Sequence, residues 1–290
     1  ITVDDLLVSS AFVYELDEVL AHYDLRSEIA RKIGYALAEK YDRLIFRSIA
    51  RGARKASPLD STSNTTHVEP GGTQIRVGTG NADDAYSATD LVAAFYDAAA
   101  ALDEKGVSTE GRVGVLSPRQ YYALIQQVGD NGLVNRDEQG DSRQSGQGIV
   151  SIAGIKIYKS MNIPFFQKYG VKYGSTVDAD NPAAPNPGNL GNFVDANIEP
   201  AGSGTTGINN NYGNAGLFKN SCGLIFQREG AGMVEAIGPQ VQTTSGDVSV
   251  LYQGDVMLGR LACGADYLNP AACVELLAGA EPGSAGNTAF

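Results

Sequence analysis

The most constraining feature is an apolar stripe that begins at Leu25. Leu25, Ile29, Ile33 and Leu37 recur at i, i+4, and Tyr41, Leu44, Ile45 and Ile49 carry the stripe on. Arg26, Glu28, Arg31, Lys32, Glu39, Lys40, Asp42, Arg43 and Arg47 fill the other faces, and no proline interrupts before Pro58. The spacing predicts one helix over residues 25–50, about 39 Å long at 1.5 Å per residue. That is more than twice an ordinary helix. Such a rod either crosses a large core or serves as a spine linking the parts of an extended subunit. Asp17 is placed as the cap of a short helical segment before it, ending near Leu20.

The rest of the chain reads as mixed α and β. Residues 1–8 alternate apolar and polar like a half-buried strand. They lack a basic signal-peptide head, and the chain is expected to begin inside a structured element with upstream residues missing. Residues 56–88 form a polar connection containing a short strand at Gln74, Ile75, Arg76 and Val77. Ser87 caps a second helix with Asp90 three residues on, and Gly106 suits its left-handed stop. A strand at residues 112–116 leads to Ser117-Pro118, the opening of a third helix to about Gln127. Residues 149–158 predict a strand pair or one strand bulged at Gly154. Further strands are expected at residues 224–227, 241–243, 248–252, 256–263 and 272–277, with a turn across residues 264–270.

Two segments lack any period. Residues 130–148 are polar and glycine-rich and predict an exposed loop. In residues 170–216, Gly, Asn and Pro make up 22 of 47 positions, which predicts an insertion held by turns.

Recognisable chemistry is scarce. Residues 202–207 match G-x-G-x-x-G, but no strand precedes them and no helix follows, so the dinucleotide mechanism has no scaffold. Of the two histidines, His22 lies beside a helix start and His67 in a polar loop, without zinc-ligand spacing. Asn64-Thr65-Thr66 is a glycosylation triplet of the kind common by chance. The three cysteines do not suggest a disulfide framework. The net charge of −11 excludes a general phosphate-binding surface, and no apolar run is long enough for a transmembrane helix. No catalytic, cofactor or metal residue is assigned. The profile suits a protein that works through its surfaces. An α+β enzyme with an unrecognised site, and a secreted binding or adhesion domain, are the alternatives.

Three stretches resemble one family. The run His22-Tyr23-Asp24-Leu25-Arg26-Ser27-Glu28 leading into the long helix resembles the lead-in to the spine helix of major capsid proteins of short-tailed, autographivirus-like phages. Residues 1–7 are similar to the segment after the extended loop of those proteins. Gly254-Asp255-Val256-Met257, Gly264 and Leu268-Asn269-Pro270-Ala271-Ala272 resemble their closing strand, turn and strand.

The resemblance implies an α+β HK97-type capsid fold with a long spine helix, a peripheral domain and an axial domain. Residues 1–55 would be the first part of the peripheral domain and 56–84 a connection. Residues 85–165 would be the axial domain and 166–221 an insertion. Residues 222–278 would be return strands from axial to peripheral domain, and 279–290 a tail. It also implies a homo-oligomer of hexamers and pentamers closing into an icosahedral shell around double-stranded DNA in the virion. Scaffolding and portal proteins would act during assembly, with a cement protein as a further partner. No cofactor and no membrane are implied. Ala271 departs from relatives, which often carry an acidic residue there. Arg26, Glu28, Asn131, Arg136 and Arg143 are the candidate subunit-contact residues, the last three in the loop assigned to the capsomer axis. An acidic lining would confine DNA without gripping it.

Overall fold

The computed structural model describes residues 1–3, 6–21, 24–56, 70–79, 84–85, 87–126, 151–163, 221–244 and 252–278. The chain forms two compact units, residues 1–45 with 232–266, and residues 46–231 with 267–290. The chain is α+β, as expected from the sequence, with helices packed on two separate sheets.

The first unit holds β1 (Leu7–Tyr14), α1 (Glu15–Leu20) and the first part of α2 (Leu25–Ala53). Most of β7 (Ala231–Thr243) and β8 (Gly254–Tyr267) complete it. Its three-stranded sheet has the order β1-β8-β7, with β1 antiparallel to β8 from Leu7 opposite Leu261 to Tyr14 opposite Gly254. The stripe that predicted α2 makes this core: Ile33 and Leu37 are buried against Val13, Met257, Leu261 and Cys263, and Leu25, Ile29, Tyr41 and Leu44 pack around them. The helix can lie this close because β8 carries Gly259 beneath it. A Cβ there would stand 2.2 Å from Ile33 Cγ2 and 3.2 Å from Leu37 Cδ1. Gly259→Ala is therefore expected to lower stability by about 1–3 kcal/mol through overpacking, read as a lower urea midpoint with an unchanged m-value.

The second unit contains β2 (Thr73–Val77), α3 (Ala88–Glu104), β3 (Arg112–Leu116) and α4 (Pro118–Gln126). It continues with β4 (Ser151–Ile152), β5 (Ile155–Lys159), β6 (Ser221–Gln227) and β9 (Cys273–Ala278). The sheet order is β2-β9-β6-β3-β5-β4. β2 runs parallel to β9 and β3 parallel to β5, while β6 is antiparallel to both β3 and β9. α3 covers one face: Leu91, Phe95, Ala98 and Leu102 are buried with Leu116, Ile155, Ile157, Ile225, Val274 and Leu276. Ser87 caps α3 as expected, its side chain accepting from the Asp90 N–H, and Gly106 takes φ +70° beyond the helix end. Between α3 and β3, buried Arg112 donates to the Val107 and Ser108 carbonyls and pairs with Asp103 at 2.7 Å.

Several sequence expectations shift. The strand read in residues 1–8 lies later, at β1; Asp4 and Asp5 are outside the described residues. Asp17 sits inside α1, whose cap position is Tyr14 and carries no side-chain cap bond. α2 runs three residues beyond residue 50, to Ala53, where Gly52 leaves room for Tyr267 and Cys273. The strand pair at residues 149–158 is a hairpin turning at Ala153 and Gly154, both with positive φ. β7 and β8 are longer than expected. The turn assigned to residues 264–270 is largely strand through Tyr267, followed by a single 3₁₀ turn at Pro270–Ala272. Expected features at residues 130–148, 170–216 and 248–251, and at His22, His67 and Asn64, lie outside the described residues.

Candidate functional site

Two polar centres stand out, one in each unit. The first surrounds the start of α2. Asp24 Oδ1 accepts from the Ser27 N–H at 3.1 Å, closing the helix's first turn. Arg26, one residue into the helix, reaches Glu18 Oε2 at 2.6 Å and Asp255 Oδ2 at 2.9 Å. One guanidinium thus ties α1 to α2 and to the start of β8. The hydrogen bond to Glu18, reinforced by the charges of Glu18 and Asp255, raises the Arg26 pKa further. Glu15, Glu18, Val19, Arg26, Gly254 and Asp255 line a shallow cleft of about 290 Å³ here. Two of its carboxylates hold the arginine, so it is built as a clamp.

The second centre is buried. The Arg54 Nε and Nη2 donate to the two carboxylate oxygens of Glu275, each at 2.7 Å, and both side chains are 0% exposed. Gln74 Nε2 adds a 3.0 Å bond to Glu275 Oε2. This bidentate pair joins the chain beyond α2 to the parallel strands β2 and β9, where Gln74 and Glu275 are register partners.

Near it is an open cleft of about 480 Å³, lined by Lys105, Ser108, Glu229, Tyr267 and Asn269 among others. Lys105 Nζ donates to the Gly71 carbonyl at 2.6 Å and to Thr73 Oγ1, and burial lowers its pKa. Burial also pushes the Cys273 thiol up to about 12, against the pull of Lys105. A thiol held neutral is a poor nucleophile.

This has a measurable consequence. The folded chain holds the Cys273 proton more tightly than the unfolded chain, so stability is full below pH 9 and is lost as pH rises toward about 12. Cys273→Ala is expected to flatten that alkaline limb in denaturant titrations. All three cysteines are buried thiols, none of them in a disulfide. Iodoacetamide at neutral pH is therefore expected to leave the native chain unlabelled by mass spectrometry and to label all three sites in urea.

Of the sequence-derived contact residues, Arg26 and Glu28 are both engaged within the chain. Arg26 forms the clamp, and Glu28 accepts from Arg31 Nη2 at 2.9 Å. Asn131, Arg136 and Arg143 lie outside the described residues. Among the described residues no cluster of three or more His, Cys, Asp or Glu is placed to hold a metal, and no helix is long and apolar enough to cross a membrane.

Sequence reasoning missed two features. One is the Arg54–Glu275 pair, although a glutamate inside the apolar strand Ala272–Leu277 was a signal for a buried partner. The other is that α1 buries none of its residues: Leu16, Val19 and Leu20 are 68%, 77% and 68% exposed.

Comparison with known proteins gives this arrangement its relatives. The major capsid protein of Escherichia phage T7 is 27% identical over 138 residues, covering 43% of this chain and 36% of that protein. The T7 minor capsid protein is 26% identical over 138 residues, covering 31% of its length. The match thus spans about a third of these relatives. The capsid structure of cyanophage P-SCSP1u superposes with a TM-score of 0.66 at 29% identity, covering 95% of this chain and 72% of that one. The mature capsid of bacteriophage PhiM1 superposes at 0.62 with 14% identity over 97% of this chain and 73% of its own, a likeness of fold alone. The family model of Gp10A-like major capsid proteins matches residues 1–277, and the chain belongs to that family.

Proposed function

We propose that this chain is a structural subunit of a phage shell, assembling with copies of itself into rings of five and six that close around double-stranded DNA. The family match over residues 1–277 carries this reading. It is a structural role, without catalysis or cofactor, and its place is the capsid shell of the virion. The contacts are heterologous, one face of a subunit against a different face of the next, which lets rotation close a ring. In this reading the first unit is the core of the peripheral domain and the second contains the axial domain. Residues 130–148, with Asn131, Arg136 and Arg143, face the ring axis. Arg26 and Glu28 act at the neighbour contact by fixing α1 and the first turns of α2. A scaffolding protein, a portal and a cement protein are its partners in assembly. The net charge of −11 suits a wall that confines DNA without binding it.

The test is negative-stain electron microscopy of the full-length protein expressed with and without its scaffolding protein. Closed shells, or rings of five or six, are expected. Discrete monomers or dimers under both conditions would overturn the reading.

A further inference from the structure

Helix α1 is unusual in what it leaves in solvent. Leu16, Val19 and Leu20 stand at i, i+3 and i+4, one helical face, and all three are largely exposed. Phe12 and Tyr14, whose rings meet edge to face at 4.8 Å, add exposed aromatic surface immediately before it. A six-residue helix has no stability of its own. Yet Arg26 and the Glu15 N–H bond to the Gln253 carbonyl hold it in place. An ordered helix with its apolar face outward is a surface made to be covered. Its rim is acidic, with Glu15 and Asp17 exposed beside the apolar face.

The same unit displays a face of opposite character. On α2, Tyr35 is 68% exposed and points away from the buried Ile33–Leu37 stripe. Arg31 and Lys32 lie on the preceding turn, also exposed. The carboxylates on this side are already held, Glu28 by Arg31 and Glu39 by Arg43, so Lys32 carries the net charge of the turn. Among the described residues nothing lies within 4 Å of a Cβ placed at Gly34, so this turn of the helix is open to solvent. An exposed aromatic beside a cation is the composition of an interface centre.

We propose that the Leu16–Val19–Leu20 face of α1 docks on the Lys32–Tyr35 face of α2 in a second copy of this chain, with Asp17 beside Lys32. The proposal rests on the self-assembly reading and deepens it by naming both sides of one contact. The two faces are different surfaces of one subunit, so each copy offers one and receives the other, head to tail.

The test is a cysteine pair in the full-length chain, Val19→Cys with Tyr35→Cys. Both positions are exposed, and the native cysteines are buried, so the background is low. Oxidised shells of the double variant are expected to lose the monomer band on a non-reducing gel and give a ladder of higher species. Either single variant is expected to remain monomeric on that gel. A charge exchange gives an independent reading: Asp17→Lys and Lys32→Asp are each expected to lose shells, and together to regain them. Normal shells whose paired cysteines stay monomeric would overturn the docking while leaving self-assembly intact. So would both charge variants assembling like the parent. Failure of the unmodified chain to form shells defeats the self-assembly reading itself, and with it this contact.

Discussion

Glu275→Ala is expected to cost the chain about 3–5 kcal/mol, the range for removing one partner of a buried ion pair. Arg54 would remain with its guanidinium fully buried and its bidentate partner gone. The Gln74 amide, which now bonds the same carboxylate, carries no charge to neutralise it. Nor can the guanidinium shed its proton, because arginine stays charged in any folded protein. The loss is therefore one of charge compensation, much larger than that of a neutral hydrogen bond. Equilibrium urea unfolding checks it. Replacing both members together, Arg54→Met with Glu275→Leu, is expected to recover most of the loss, since an apolar pair of similar volume avoids desolvating charge. A double variant as unstable as Glu275→Ala would mean that the pair itself, and not the orphaned cation, supplies the stability. The pair lies where α2 ends and where β2 joins β9 in parallel. That junction joins pieces of chain 221 residues apart by a hydrogen bond, and no local sequence signal favours their meeting.

That separation explains what the sequence did and did not disclose. Local rules were legible. The i, i+4 stripe predicted α2 to within a few residues, Ser87 with Asp90 marked the start of α3, and Gly106 its end. Each is decided by neighbours a turn away. The hairpin at Ala153 and Gly154 was legible only as one of two options, since a bulge and a tight turn both need positive φ at one spot. Strand ends were less legible. β7 and β8 extend well past their apolar cores, because neighbouring strands of the β1-β8-β7 sheet can bond backbone to backbone regardless of side chain. The late position of β1 follows from that same partner: Leu7 to Tyr14 form the stretch that β8 covers. Arg26 was singled out as a neighbour contact through resemblance. Its two carboxylate partners, at positions 18 and 255, are a matter of tertiary placement. The exposure of α1 was illegible for a related reason. Leu16, Val19 and Leu20 have the spacing of a buried face, and composition cannot say whether the cover comes from the same chain or another.

The second large effect is expected at Phe95. This ring is fully buried under α3, and Phe95→Ala is expected to destabilise by about 3–5 kcal/mol through the cavity it leaves. What makes the site informative is the strand beneath. A Cβ at Gly114 of β3 would lie 2.7 Å from Phe95 Cε1 and 3.2 Å from Cζ. The glycine is the socket for the ring, so helix and strand are matched as a large residue over an absent one. Gly114→Ala alone should then destabilise by about 1–3 kcal/mol, because the ring must move within a closed core. In the Phe95→Ala background the same methyl enters empty space, and its cost should largely vanish. The two changes are therefore expected to be less harmful together than their sum, with a coupling of about 0.5–3 kcal/mol in a double-mutant cycle measured by urea unfolding. Strict additivity would show that the alanine methyl is excluded by something other than the ring. Coupling of the expected sign would make the α3–β3 contact a fitted one. It would also explain why glycine is kept at the centre of a six-stranded sheet, where it otherwise only weakens the strand.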